Sequence, residues 1–327
     1  MSGAIHRMAI PTPFMVGRVN CYLIDDDPLT LVDTGPNSGK ALDCLERELA
    51  AHGRRIEDLG RIVITHQHLD HMGLLDVLAR RSGAEVVALD LLAPVLEEFG
   101  AEAERDDELA EALMLRHGIT RDVVTALRAV SRSFRGWGGA ATVTRRLADG
   151  EELGFAGRTL RTLHRPGHSP SDTVFYDEAD GTLVAGDHLL HHISSNPLIS
   201  RQLGGKSGQP GDGRPRALLT YMASLRETRE MEVSQVLPGH GDPFAGHAAL
   251  IDERFAMHER RASKIRGLIA AEPLTAHEIA QSLWGNVAVT QAFLTLSEVL
   301  GHIDLLLERG EAAEREAGGV IRFEAVS

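Results

Sequence analysis

Thr65-His66-Gln67-His68-Leu69-Asp70-His71 places three imidazoles and one carboxylate within six residues, directly after the β-branched run Arg61-Ile62-Val63-Ile64. A short apolar run of that kind reads as a buried strand. Alternate side chains diverge at a strand end, so a loop must fold the four donors round one centre. Three imidazoles with a carboxylate form a borderline-soft donor set, suited to zinc, manganese or iron rather than calcium. Four such donors serve one closed site, whereas six or seven imply two ions.

Outward from this run, strand and helix signals alternate. Residues 19–33 (VNCYLIDDDPLTLVD) read as two β-rich runs around an Asp-Asp-Asp-Pro turn, the second ending in Asp33-Thr34-Gly35-Pro36. A helical pattern covers 38–52, LLDVLARR is helical beyond Gly73, and Glu85–Leu89 reads as the next strand. That order predicts an α/β layered core. Residues 91–134 break the rhythm with two or three amphipathic helices, and Arg135-Gly136-Trp137-Gly138-Gly139 reads as a mobile loop. The range 91–140 is therefore expected to be a helical insertion that covers the active site.

Strand signals return at Thr142–Leu147, Thr159–His164, Thr173–Tyr176 and Thr182–Ala185. A Gly/Pro-rich loop at 204–215, a helix over 216–230 and the strand Ser234–Leu237 follow. From 246 the pattern is helical almost to 309, with a break at Glu272-Pro273, and Gly310–Val326 reads as two short strands around Gly318-Gly319. Helices followed by a terminal hairpin predict a small winged-helix module.

Three more donor motifs sit at strand ends: Pro166-Gly167-His168-Ser169, Ala185-Gly186-Asp187-His188 and Leu237-Pro238-Gly239-His240-Gly241. Glycine beside each donor lets the backbone turn sharply and approach another element. Strand ends gather along one edge of an α/β core, so the four motifs point at one place.

The pattern His66-x-His68-x-Asp70-His71, with His168, Asp187 and His240 in that order, resembles the metallo-β-lactamase superfamily over residues 1–245. The resemblance implies an αββα sandwich. It also implies one ion held by His66, His68 and His168, a second by Asp70, His71 and His240, and Asp187 bridging both. Asp33, in Val-Asp-Thr-Gly, fits that superfamily's early structural aspartate. Residues 246–327, with PLTAHEIA at 273–280 and GHIDLL at 301–306, are similar to the winged-helix module of a branch with endoribonuclease-like and thioesterase-like members.

Composition narrows the setting. Arg and Lys number 34 against 47 Asp and Glu, a net charge of −13 that disfavours phosphate backbones as partners. Cys21 and Cys44 cannot build a disulfide framework; they read as buried thiols in a reducing compartment. Met1–Ile10 lacks the apolar core of a secretory signal, and no run is long enough to span a membrane, so a cytoplasmic location is expected. The expected recognition segment of the module, 287–309, carries Glu298, Asp304 and Glu308 but only Arg309 as a basic residue, which points to packing, a substrate wall or homodimerisation rather than DNA reading. Among the remaining histidines, His188, His191 and His192 flank Asp187, and one of them is a candidate for facing substrate; His164, His247, His258, His277 and His302 read as structural.

The expected chemistry is hydrolysis by a hydroxide shared between two divalent transition-metal ions, Zn2+ first and Mn2+ or Fe as alternatives. Asp70 is the expected catalytic residue, orienting that hydroxide. A small ester or thioester is the expected substrate, since the insertion offers room for an acyl chain. Alternatives are an endoribonuclease or phosphodiesterase, a lactonase, and a non-catalytic regulatory or binding protein that keeps the metal fold.

Overall fold

Two mixed sheets stacked face to face organise the chain in a computed structural model that describes residues 3–204 and 214–326. The first sheet runs in chain order: β1 (Ile5–Ile10), β2 (Val19–Ile24), β3 (Thr30–Val32), β4 (Arg61–Val63), β5 (Glu85–Leu89) and β6 (Arg145–Leu147). Its first three strands are antiparallel and β3 to β6 are parallel. The second sheet contains β7 (Glu152–Gly154), β8 (Thr159–His164), β9 (Thr173–Asp177), β10 (Thr182–Gly186) and β11 (Gln235–Pro238), ordered β11-β10-β9-β8-β7. Only its β10–β11 pair is parallel.

The layers hold together through one apolar core. Tyr22, Ile24, Val32, Val63, Val87 and Leu147 from the first sheet meet Leu153, Leu160, Phe175, Val184 and Leu237 from the second. Every residue of β2 is buried, Asn20 included, so burial along it is continuous rather than alternating. α1 (Gly39–Ala51) starts where Ser38 accepts from the Ala41 amide, and it buries Ala41, Cys44, Leu45 and Leu49. Both cysteines are free and buried, as expected.

The short helix α2 (Leu69–Met72) carries Asp70 and His71, and α3 (Leu75–Ser82) follows it. The range 91–134 forms three helices, α4 (Ala93–Glu97), α5 (Phe99–Arg116) and α6 (Arg121–Phe134). Farther on come α7 (Ala217–Arg229), α8 (His247–Ala271), α9 (Ala276–Trp284), α10 (Val287–Thr290), α11 (Ala292–Glu308) and the hairpin β12 (Ala312–Ala317) with β13 (Val320–Ala325). Thr275 and Glu278 form a capping box at the start of α9. Gly318 and Gly319, at φ 63° and 78°, make the hairpin turn.

Compactness cuts the chain differently from sequence order. One unit comprises the described residues of Met1–Ala103, Phe134–Ser195 and Met231–His247; the other comprises those of Glu104–Ser133, Asn196–Glu230 and Ala248–Ser327. No helix among the described residues is long and apolar enough to cross a membrane.

Several expectations need correction. β1 and β7 carry no strong sequence signal and were not anticipated. β6 begins at Arg145 rather than Thr142, and the helical run after 246 breaks a second time around Gly285 and Asn286. The 135–139 loop is not loose: the Trp137 carbonyl accepts from the Asn37 amide at 2.8 Å. Gly138 packs so closely on Leu69 and Phe99 that a Cβ there would stand 2.7–2.8 Å from their side chains. Most of the expected 204–215 loop lies outside the described residues.

Candidate metal centre

The donors gather where β3, β4, β8, β10 and β11 end. His66, His68, Asp70 and His71 follow β4, His168 follows β8, Asp187 follows β10 and His240 follows β11. Two glycines make the convergence sterically possible. A Cβ on Gly239 would stand 2.2 Å from Asp187 Oδ1 and 2.8 Å from His71 Cε1. Gly186 adopts φ 49° with Thr65 pressed against it.

All seven expected donors come together, in two groups. His68 Nδ1 lies 3.0 Å from His66 Nε2 and 2.9 Å from His168 Nε2. His240 Nε2 stands 3.4 Å from Asp70 Oδ2 and 3.4 Å from Asp187 Oδ2, and His71 Nε2 is 3.4 Å from Asp187 Oδ1. Asp187 Oδ2 also lies 3.6 Å from His168 Nε2, so one carboxylate addresses both groups. Donor atoms close within 4.8 Å in three sets: His66/His68/His168, His66/His71/Asp187 and Asp70/His71/His240.

Outer hydrogen bonds fix which ring nitrogen faces inward. His71 Nδ1 donates to Asp33 Oδ2 at 2.7 Å, and His240 Nδ1 donates to the Arg18 carbonyl at 2.8 Å. Thr65 Oγ1 donates to Asp33 Oδ2 at 2.8 Å and accepts from His66 Nδ1 at 3.0 Å. In each case the outer bond takes the Nδ1 proton and turns Nε2 toward the centre, where it is free to ligate once its own proton is released. Asp33 thus orients His71 directly and His66 through Thr65, consistent with an orienting carboxylate rather than a ligand. It does so from φ 59°, the left-handed region that Asp tolerates better than most side chains. Thr34 holds the same segment by its main chain, its amide and hydroxyl both donating to the His71 carbonyl, at 2.7 and 2.9 Å.

Electrostatics separates the two groups. Burial, then the positive charge of neighbouring histidines, pushes His66 well down, and burial with His168 takes His68 down to about 3. Around the second group burial is outweighed. Asp187, Asp33 and Asp70 hold His71 well up, and Asp187 with Asp70 raises His240 to about 9. Asp187 is driven well below the usual carboxylate range by His71 and His240 against the cost of its burial.

A cation fits this donor set. His71 Nε2, His240 Nε2 and Asp187 Oδ1 are buried and, among the described residues, have no partner of hydrogen-bond geometry, only the 3.4 Å approaches given above. Buried polar atoms left like that are costly unless something else satisfies them. Imidazole nitrogens and carboxylate oxygens closing on one point are what a borderline divalent ion requires.

Some functional residues were not anticipated. Asn20 clamps the 238–241 loop that carries His240: its amide donates to Gly239 O, and its Nδ2 donates to Pro238 O and Gly241 O, at 2.7, 2.9 and 2.7 Å. The Tyr22 hydroxyl donates to Pro238 O at 2.7 Å. An asparagine inside the apolar run VNCYLI was the available signal, since a buried amide needs partners. His164, expected to be structural, bonds the Pro170 carbonyl at 2.9 Å, while Asp172 accepts from Ser169 N and Oγ, both at 2.8 Å. Together they shape the loop that presents His168. His188 is fully buried, which removes it as a substrate contact; His191 and His192 are exposed, and the His191 ring stacks on Phe244.

The layered fold and its two-part histidine and aspartate centre define a metal-dependent hydrolase. The chain belongs to the metallo-beta-lactamase superfamily, whose family description matches residues 15–240. It is 32% identical to the probable metallo-hydrolase YqjP of Bacillus subtilis (strain 168), over 97% of this chain and 96% of that one. A metallo-beta-lactamase family protein from Thermus thermophilus superposes with a TM-score of 0.79 at 27% identity, covering 98% of each chain. A beta-lactamase domain protein from Burkholderia ambifaria gives 0.82 at 27% identity, over 100% of this chain and 93% of that one. A shorter likeness, 25% over 36% of this chain and 24% of the relative, is to the atrochrysone carboxyl ACP thioesterase of Aspergillus fumigatus.

Proposed function

We propose that this hydrolase works with two divalent ions, Zn2+ by preference, and cleaves small thioesters. His66, His68 and His168 would hold one ion and Asp70, His71 and His240 the other, with Asp187 serving both. The observation that carries the two-ion reading is the Asp187 carboxylate, whose oxygens lie 3.4–3.6 Å from His71, His240 and His168. Bound there, divalent ions activate water near neutral pH and polarise a carbonyl oxygen.

The chain's own groups do the rest. Asp70 is 7% exposed, is held in its anionic form beside His71 and His240, and would orient the attacking water. Asp33 and Thr65 keep His66 and His71 in the tautomer that leaves Nε2 free. A thioester is favoured because a relative named as an acyl-carrier thioesterase shares part of the chain, while the net charge of −13 weighs against long phosphate backbones such as RNA. We read 1–245 as the catalytic part, with 91–140 as its helical insertion. We read 246–327 as a winged-helix-like module, supported by the order α9, α10, α11 and a two-stranded wing. Two buried free thiols support a reducing, cytoplasmic setting.

The test uses metal-stripped protein reloaded with Zn2+, Mn2+ or Fe2+ and offered acyl-CoA and acylglutathione thioesters, lactones and single-stranded RNA. Metal-dependent thioester turnover, highest with Zn2+ and abolished by Asp70→Ala, is expected. Turnover of RNA or lactones alone would replace the substrate assignment. No turnover across the panel would favour a binding protein.

A further inference from the structure

One stretch of the helical C-terminal part is locally basic in a chain whose net charge is −13. On α8, Met257, Arg260, Arg261 and Lys264 stand at i, i+3, i+4 and i+7, the spacing that puts side chains on one helix face. Leu283 and Trp284, the last two residues of α9, complete the wall. Together these six side chains line a pocket of about 230 Å³.

The cations of this pocket are not equally engaged. The Arg261 guanidinium lies 5.4 Å from the centre of the Trp284 ring and is paired with Glu298, so it is fixed against the indole. Arg260 and Lys264 are exposed and, among the described residues, have no acidic partner. Acids on the neighbouring turns are already taken. Glu259 accepts from Arg309 at 2.8 and 2.5 Å, and Asp252 accepts from Arg229 at 2.7 and 3.0 Å. Two unneutralised cations one helical turn apart therefore stand beside a half-buried indole.

A flat ring and an anion satisfy different parts of this pocket. The indole, Met257 and Leu283 offer an aromatic and apolar surface to a planar ring, and Arg260 and Lys264 offer charged donors to phosphate oxygens. We infer that this pocket binds a nucleotide, its base stacked against Trp284 and its phosphate chain held by Arg260 and Lys264. A mononucleotide fits better than a strand of nucleic acid. The pocket is smaller than the usual ligand cleft of roughly 300–1,000 Å³, with room for one base rather than several. A strand would also need a continuous basic track, and residues 287–309 carry only Arg309. None of the seven metal donors lines the pocket, and the inference does not rest on the thioester reading.

The test uses full-length, metal-loaded protein carrying Trp137→Phe, which leaves Trp284 as the sole tryptophan. Titration with 5′-ADP should change its emission saturably. Adenosine and pyrophosphate, each filling one part of the pocket, should bind at least about tenfold more weakly. Calorimetry on the otherwise native chain should show Arg260→Ala and Lys264→Ala each weakening ADP about fivefold to tenfold, an effect that shrinks with added salt. Both side chains are exposed, so the thermal unfolding temperature should stay the same in these variants. Trp284→Ala should cost about tenfold or more.

ADP binding that the Arg260 and Lys264 variants leave unchanged would place the ligand elsewhere, the metal centre included, and overturn the inference. Pyrophosphate binding as tightly as ADP would reduce the pocket to a general anion site and also overturn it, as would no change in Trp284 emission. Coenzyme A, titrated beside ADP, separates two sources of the same chemistry. Tighter binding of coenzyme A makes the ligand the nucleotide end of an acyl carrier, and ADP binding at least as tightly makes it a free nucleotide; both uphold the site. A single-stranded oligonucleotide that binds where mononucleotides do not would overturn it in favour of a nucleic-acid surface.

Discussion

Asp33 Oδ2 lies 2.7 Å from His71 Nδ1 and 2.8 Å from Thr65 Oγ1, so one buried carboxylate orients a donor of each metal group. Asp33→Asn keeps the size and tolerates φ 59°, but it replaces one acceptor oxygen with an NH2. The amide cannot accept from His71 Nδ1 and from the Thr65 amide and hydroxyl together. Metal affinity should drop about 10–100-fold, measured by competition with a chelator. Unchanged affinity would show that His71 is held by its main chain alone.

Gly239→Ala tests the steric basis of the centre. The added methyl would stand 2.2 Å from Asp187 Oδ1, so that carboxylate or the 238–241 loop must move. Metal analysis should find about one ion per chain in place of two, and thioester turnover at least about 100-fold lower. The fold itself should persist, because residue 239 lies at the end of β11 outside the inter-sheet core.

The donors were legible in the sequence because each stands beside a strand signal and, in three of four motifs, beside glycine. β-branched runs at 61–64 and 182–185 announced their strands, and Gly318-Gly319 announced the terminal hairpin. The supporting shell was harder to read. Asn20 and Tyr22 act across more than 200 positions of chain on the 238–241 loop, and no local pattern records a partner that distant. The grouping of 104–133 with the described residues of 196–230 and the C-terminal helices was equally hidden, since it depends on tertiary packing rather than on periodicity. β7, three residues with a single buried side chain, offers too little alternation to detect.

A pH effect is expected away from the metal centre. His258 Nδ1 lies 3.1 Å from His302 Nε2, and burial takes each down to about 4, with Arg261, Arg254, Glu298 and Glu259 as the charged groups acting on the pair. Their folded values lie below the unfolded value near 6.5, so the unfolded chain binds more protons as pH falls. The stability is fully present above about pH 6.5 and is lost progressively toward about pH 4. Thermal unfolding of the metal-loaded protein should show Tm falling across that window, and His302→Gln should flatten the slope. A Tm that stays level from about pH 7 to about pH 4.5 would contradict this pairing.

The central claim, two ions serving one reaction, is tested most directly by titrating metal-stripped protein with Zn2+ while following thioester hydrolysis. The account predicts that turnover stays low through the first equivalent, rises with the second and levels off at two ions per chain. Full turnover at one equivalent, or turnover indifferent to added metal, would contradict it.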